Sequence, residues 1–193
     1  MMQDDPVRPW RWTRNQYDRL IESGVFQEDD KVELLGGQLM VAEPQGSRHA
    51  ATVGVVADTL RAAFGRGWYV AVQVPVALDD ESEPEPDVTV SPGTARDYGE
   101  AHPSRPVLVV EVAESSRTLD RRHKASLYAR AEVPDYWIVN VVDNVLEVHR
   151  RSVPSSQSVF GWRYADVVRL VGGATISPVA VPSISIAVAD LLL

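Results

Sequence analysis

Three side chains in this sequence could together do metal-ion chemistry. Glu111 lies inside the apolar run VLVVEVA, residues 107–113. An unpaired carboxylate there would cost on the order of several kcal/mol to desolvate, so the position calls for a cation. A structural salt bridge to an arginine, or an outward-facing place on a half-exposed strand, would explain Glu111 equally well. A second acid favours a metal, and Asp87 supplies one directly after Pro86 at the start of a short strand. Two strand-borne carboxylates converging at one end of a sheet make an oxygen cage for Mg²⁺, which fills its remaining positions with water and phosphate oxygens. Pro-Asp also occurs at plain strand entries, so the pair is weak alone. Lys124 follows Glu111 by thirteen residues, in the helix after that strand, and could reach back to the strand end. A cation there could position a water beside a metal or meet charge developing on a phosphate. An i,i+4 surface pair with Asp120 is the plainer alternative.

Composition narrows the chemistry. The 193 residues include no cysteine, which excludes disulfides, thiolate zinc sites and cysteine nucleophiles. Any metal must be held by oxygen or by the four histidines, so Mg²⁺, with Mn²⁺ as its stand-in, comes first. The net charge of −8 argues against a surface that grips nucleic acid everywhere. That average hides two opposed runs, Asp79 to Asp87 with six acids in nine residues and Arg117 to Arg130 with five Lys/Arg against one Asp. The acidic run reads most simply as a solvated loop. No dinucleotide or P-loop glycine motif occurs. Without a secretory leader or an apolar run of membrane-spanning length, the expected setting is cytoplasmic, and the length suits one domain, residues 1–193.

The elements that must position these residues can be read from periodicity. Thr13 to Gln16 fits a capping box and opens a short helix that Gly24 stops. The run KVELLGGQLMVAE, residues 31–43, reads as a β-hairpin turning on Gly36-Gly37. Apolar residues at helical spacing predict a second helix from Ser47 to Phe64. Alternating valines predict a strand from Trp68 to Leu78, followed by a short strand at Asp87–Ser91. Pro106 to Ala113 is the expected central strand, covered on both faces. Thr118 to Ala131 reads as a helix, and Tyr136–Val142 pairs with Val145–Arg151 across Asp143-Asn144. The remainder reads as short strands and turns. The fold class is α/β: a mixed sheet flanked by helices, with an N-terminal helix and hairpin.

Five blocks taken in order carry a resemblance: VELLGGQLMV, the His of SRHA, EPDVTV, LVVEVAESSRTLDRRHKASLYARAEVPDYWIV and VPSISIAVADLL. Together they resemble a large bacterial family known as putative restriction endonucleases, a branch of the PD-(D/E)XK superfamily. The resemblance implies a restriction endonuclease-like core, with Asp87 and Glu111 as metal ligands and the carbonyl of Val112 as a further ligand. It places Lys124 in the lysine role, although the superfamily lysine normally stands two residues after the second acid, where this chain has Ala113. The D-x3-K-x3-Y spacing of the branch is matched by Asp120, Lys124 and Tyr128, with Tyr128 as a packing residue that shields the site. Glu33 would be an extra acid, although a solvated strand residue explains it as well. His49 and Gln73, and Arg121 from the basic run, are candidate substrate contacts. For His49 a helix-start surface position is the plainer reading, and for Gln73 an exposed strand position.

The leading expectation is a Mg²⁺-dependent endonuclease hydrolysing DNA phosphodiester bonds. A nuclease-like fold kept as an inactive binding or regulatory module is the rival, motivated by the net charge. A hydrolase of another phosphorylated substrate is a third reading. A homodimer is expected, because two sites across a two-fold axis would face both strands of a duplex.

Overall fold

The arrangement grows outward from two strands that run the same way. A computed structural model describes residues 8–27, 30–41, 45–114 and 120–193. In it, β5 (Leu108–Ala113) lies parallel to β6 (Asp135–Asn140), while every other pair in the sheet is antiparallel. The remaining strands are β3 (Trp68–Val72), β4 (Val88–Pro92), β7 (Val145–Pro154) and β8 (Trp162–Leu170), in the spatial order β3-β4-β5-β6-β7-β8. A parallel pair needs a crossover. Here the crossover carries a π-helical turn (Asp120–Lys124) and a short helix, α3 (Ala125–Arg130).

Strand alternation sorts the two faces of the sheet. Leu108, Val110 and Val112 of β5 pack with the apolar stripe of α2 (Ser47–Phe64), among them Val53, Val56, Leu60 and Phe64. Val109 and Ala113 face the other way, onto Ala125, Tyr128 and Ala129 of α3. Glu111 shares the parity of Val109 and Ala113, so the pleat turns its carboxylate towards the helix that bears Lys124. Val188 and Leu191 complete the α2 face.

The N-terminal elements form as their local chemistry requires. Helix α1 (Arg14–Glu22) opens on a reciprocal capping box between Thr13 and Gln16, and Gly24 follows it at φ +67°. Strands β1 (Val32–Leu35) and β2 (Gln38–Val41) turn on Gly36 and Gly37, both at positive φ as a tight hairpin needs. A Cβ on Gly36 would run into the ring of Phe160, so this hairpin sits directly against the loop before β8. Phe160 is tied in turn to α3, through its N–H to Ser126 Oγ at 2.9 Å and under the guanidinium of Arg130.

Four segments differ from expectation. The strand beginning at Trp68 ends at Val72 rather than Leu78: Gln73, whose amide still bonds the Asp87 carbonyl at 3.1 Å, adopts φ +49°, and the chain beyond it pairs locally with residues 82–84. The acidic run is not a solvated loop. Glu83 exchanges backbone hydrogen bonds with Leu34, and Ser82 and Glu83 are buried. The helix expected over Thr118–Ala131 is described from Asp120, begins as a π turn and ends at Arg130; residues 115–119 lie outside the described residues. Finally, β8 is nine residues long and edges the sheet along β7. Its sequence WRYADVVRL hides it, because an edge strand exposes Val167 and Val168 on both faces and so shows no clean alternation.

Candidate active site

The register of β4 against β5 fixes the acids first. Val88 lies opposite Val110 and Thr89 opposite Val109, so Asp87, one residue earlier, comes opposite Glu111. At this point a side chain replaces the backbone rung: Val112 N–H donates to Asp87 Oδ2 at 2.8 Å. Asp87 Oδ1 meets His49 Nε2 at 3.0 Å and accepts more weakly from Gln45 and Gln73 at 3.3 and 3.5 Å. Burial alone would raise the Asp87 carboxyl. The His49 hydrogen bond and charge, the Val112 amide and Lys124 outweigh it and hold the group below its usual range.

Glu111 and Glu33 meet through one ammonium group. Lys124 Nζ lies 3.1 Å from Glu111 Oε1 and 3.2 Å from Glu33 Oε1, with all three side chains buried. Lys124 gets there because the π turn and α3 pass directly over Glu111's face of the sheet, and Glu33 gets there because the hairpin docks beside them. Tyr128, one helical turn beyond Lys124, donates its hydroxyl to Glu111 Oε1 at 2.9 Å. Burial, then the charge of Glu111, pushes that phenol well above its ordinary value, so it stays a neutral donor. Glu85 completes the acidic group: its N–H donates to Glu33 Oε1 at 3.3 Å. Burial, against Lys31, and then the charge of Glu33 raise its carboxyl.

Glu33, Glu85, Asp87 and Glu111 therefore gather around Lys124 and His49. Among the described residues these four acids outnumber Lys124, Lys31 and His49 even with His49 protonated, and buried negative charge in excess favours an added cation. Among the described residues, no three His, Asp or Glu side chains are grouped as a preformed metal cage. The position of Lys124 accounts for this, since its ammonium already bridges two of the acids. The donor set still fits a hard divalent ion, because Mg²⁺ takes only one or two carboxylates and keeps several waters.

A family model described as "Putative restriction endonuclease", Uma2, matches residues 14–189. The chain belongs to the Uma2 family. It shares its fold with a solved structure described as a putative nuclease belonging to DUF820 from Anabaena variabilis ATCC 29413. The TM-score is 0.65 at 12% identity, over 93% of this chain and 96% of that one. No curated protein matches the chain.

Within this Uma2 chain the residues singled out from sequence divide. Asp87, Glu111, Lys124, Glu33, His49 and Gln73 come together, and Val112 joins them through its amide. Gln73 reaches the site because its amide pairs with the Asp87 carbonyl where its left-handed backbone ends the strand, with Nε2 2.7 Å from Gln45 Oε1. His49 is a buried partner of Asp87 and not a surface residue. Arg121 pairs bidentately with Glu147 on β7. The side chain of Asp120 lies outside the described residues. Gln45 and Glu85 were not foreseen, and Tyr128 proves to hold Glu111 as well as to pack. Glu85 could have been found from its place two residues before Asp87, on the same side of an extended chain. No helix among the described residues is long and apolar enough to cross a membrane.

Proposed function

We propose that the protein is a Mg²⁺-dependent endonuclease that hydrolyses DNA phosphodiester bonds at the Asp87–Glu111 site. The observation that carries this reading is the placement of Asp87 opposite Glu111 at the ends of two paired strands, with Lys124 against Glu111. Asp87, Glu111 and the carbonyl of Val112 would hold the ion. A divalent cation bound there supplies Lewis acidity to a phosphate oxygen and lowers the pKa of a water.

The chain's own residues do the rest. His49, Gln45 and the Val112 amide orient the Asp87 carboxylate. Tyr128 fixes one oxygen of Glu111, so that carboxylate has a defined direction. Lys124 Nζ donates to a water approaching phosphorus and meets the negative charge that grows on the phosphate oxygens. Glu33 keeps the ammonium aimed at that position. A two-fold pair of chains would offer a site to each strand of a duplex, and light scattering giving one chain per particle at micromolar concentration would remove that part of the proposal.

The test is incubation of supercoiled plasmid with purified protein in Mg²⁺ or Mn²⁺, beside an Asp87→Ala control. Nicking by the unaltered chain, with a loss on the order of a hundredfold or more in the variant, is the expected result. Equal nicking by both proteins, or none by either, sinks the reading. Calorimetric titration with Mn²⁺ adds a second readout, with a binding event that Glu111→Ala removes.

A further inference from the structure

On the same face of the sheet as Glu111, but across the crossover towards β7 and β8, lies a cavity of about 230 Å³. Its character is opposite to that of the acidic site. Arg121, Arg122 and Arg163 line it with His149, Ser158 and Trp162, and no carboxylate does so among the described residues. Arg121 is held by Glu147. Neither Arg122 nor Arg163 has a carboxylate partner among the described residues, so their guanidinium groups are available to an anion from outside.

His149 supplies the independent observation. It is 6% exposed, tilted against the ring of Tyr136 and edge-on to that of Tyr164, and its buried Nε2 has no hydrogen-bond partner. A buried polar nitrogen without a partner is costly and points to a missing one. Burial, against the charge of Glu147 and helped by Arg121, pushes its pKa down to about 4. At neutral pH the ring is therefore uncharged, and in the tautomer protonated at Nε2 it is a hydrogen-bond donor.

We propose that this cavity binds a phosphate group, held by the guanidinium groups of Arg122 and Arg163, with the uncharged ring of His149 in the cavity wall. Guanidinium forks match the oxygen spacing of phosphate. A phosphate group is far smaller than the cavity, which leaves room for the sugar or water attached to it. The source is either the backbone of a nucleic acid or free phosphate. In the first case the anchored strand would run past the π turn towards Lys124, two residues on from Arg122. The proposal does not require hydrolysis, and its test uses no divalent metal, so it can fail while the nuclease reading stands, and the reverse.

The experiment is histidine-detected NMR of the full chain labelled with ¹⁵N at imidazole, at neutral pH and at constant ionic strength set with chloride. The His149 resonance is assigned with a His149→Gln variant. The probes are inorganic phosphate and a short single-stranded oligonucleotide of thymidine. A saturable shift of the His149 Nε2 signal is expected, and Arg122→Ala combined with Arg163→Ala should weaken it about tenfold or more with an unchanged circular dichroism spectrum. A shift with both probes identifies a free-phosphate site; a shift with the oligonucleotide alone identifies a backbone phosphodiester site. A His149 signal unmoved by either probe, or moved with equal affinity in the double variant, overturns the proposal.

Discussion

Asp135 and Glu111 lie on neighbouring strands of one sheet, both buried, and their surroundings answer the cost of burial in opposite ways. Asp135 has a complete set of partners. Oδ1 accepts from Trp137 Nε1 at 2.6 Å and Arg150 Nε at 2.8 Å, and Oδ2 from Arg150 Nη2 at 3.0 Å and the Val179 amide at 2.9 Å. One carboxylate meets one guanidinium there, and the charges cancel. Among the described residues, Glu111 and Glu33 both pair with the ammonium of Lys124, beside Asp87 and Glu85. A balanced pair satisfies the fold, whereas an acid-rich cluster can accommodate a further positive charge. The difference teaches that burial of an acid is a weak sign of function, and that imbalance among its neighbours is a stronger one.

The largest effect should come from breaking the balanced pair. Asp135→Ala leaves Arg150 without its partner and should cost about 3–5 kcal/mol by urea denaturation. Glu111→Gln should change stability by less than about 1 kcal/mol, because it removes one of several crowded negative charges while leaving Tyr128 an oxygen to donate to. A loss at Glu111 as large as that at Asp135 would break the comparison.

Acid titration sharpens it, once His149 is accounted for. Burial holds the folded pKa of His149 at about 4 against an ordinary 6.5, so the unfolded chain binds the extra proton. The stability is fully present above about pH 6.5 and should fall by about 3 kcal/mol as pH drops to about 4. Asp87 acts lower on the scale: with its folded pKa depressed, its contribution is lost only as pH falls through that folded value. His149→Gln should flatten the upper window and leave the lower one. A slope unchanged by the variant would assign the upper window to other groups.

Next is the response to a divalent cation. Saturation with Mn²⁺ at about a hundred times its Kd should stabilise the unaltered chain by about 2.7 kcal/mol. Asp135→Ala, though weakened, should keep that increment in its thermal unfolding, and Glu111→Gln should lose it. If both variants respond alike, the ion binds elsewhere.

Much of the site was legible in the sequence, for reasons that particular residues make plain. Glu111 stood out because its neighbours are all apolar, and Asp87 because it opens a strand; the antiparallel register then sets them face to face. Lys124 was legible through the branch spacing, since its reach depends on a π turn that no periodicity announces. Gln45 lay hidden because it precedes α2 in a segment without any pattern. Asp135 was hidden differently: at a strand entry after Pro134 it resembles Asp87 in sequence, and only its contacts distinguish the two. Of the fold, the capping box, the Gly36-Gly37 turn and the buried strands were legible because each rests on local chemistry. The long edge strand β8 was not, because its partner β7, and not its own alternation, makes it a strand.

The smallest change tests how Glu111 is aimed. Tyr128→Phe removes one hydroxyl whose partner is Glu111 Oε1, in a core where the ring also packs on Tyr136 at 4.9 Å between centroids. The ring contacts survive the substitution and Lys124 still holds Glu111 Oε1, so the loss should be about 1.5 kcal/mol, the low end for a hydrogen bond to a charged acceptor. Cavity formation is negligible for one oxygen atom. If Tyr128 only shields the site, as a packing residue would, plasmid nicking should track this small loss of stability and no more. If it fixes the direction of Glu111, nicking at saturating Mg²⁺ should fall about tenfold to a hundredfold in a fully folded variant, the scale expected for a residue that orients a metal ligand.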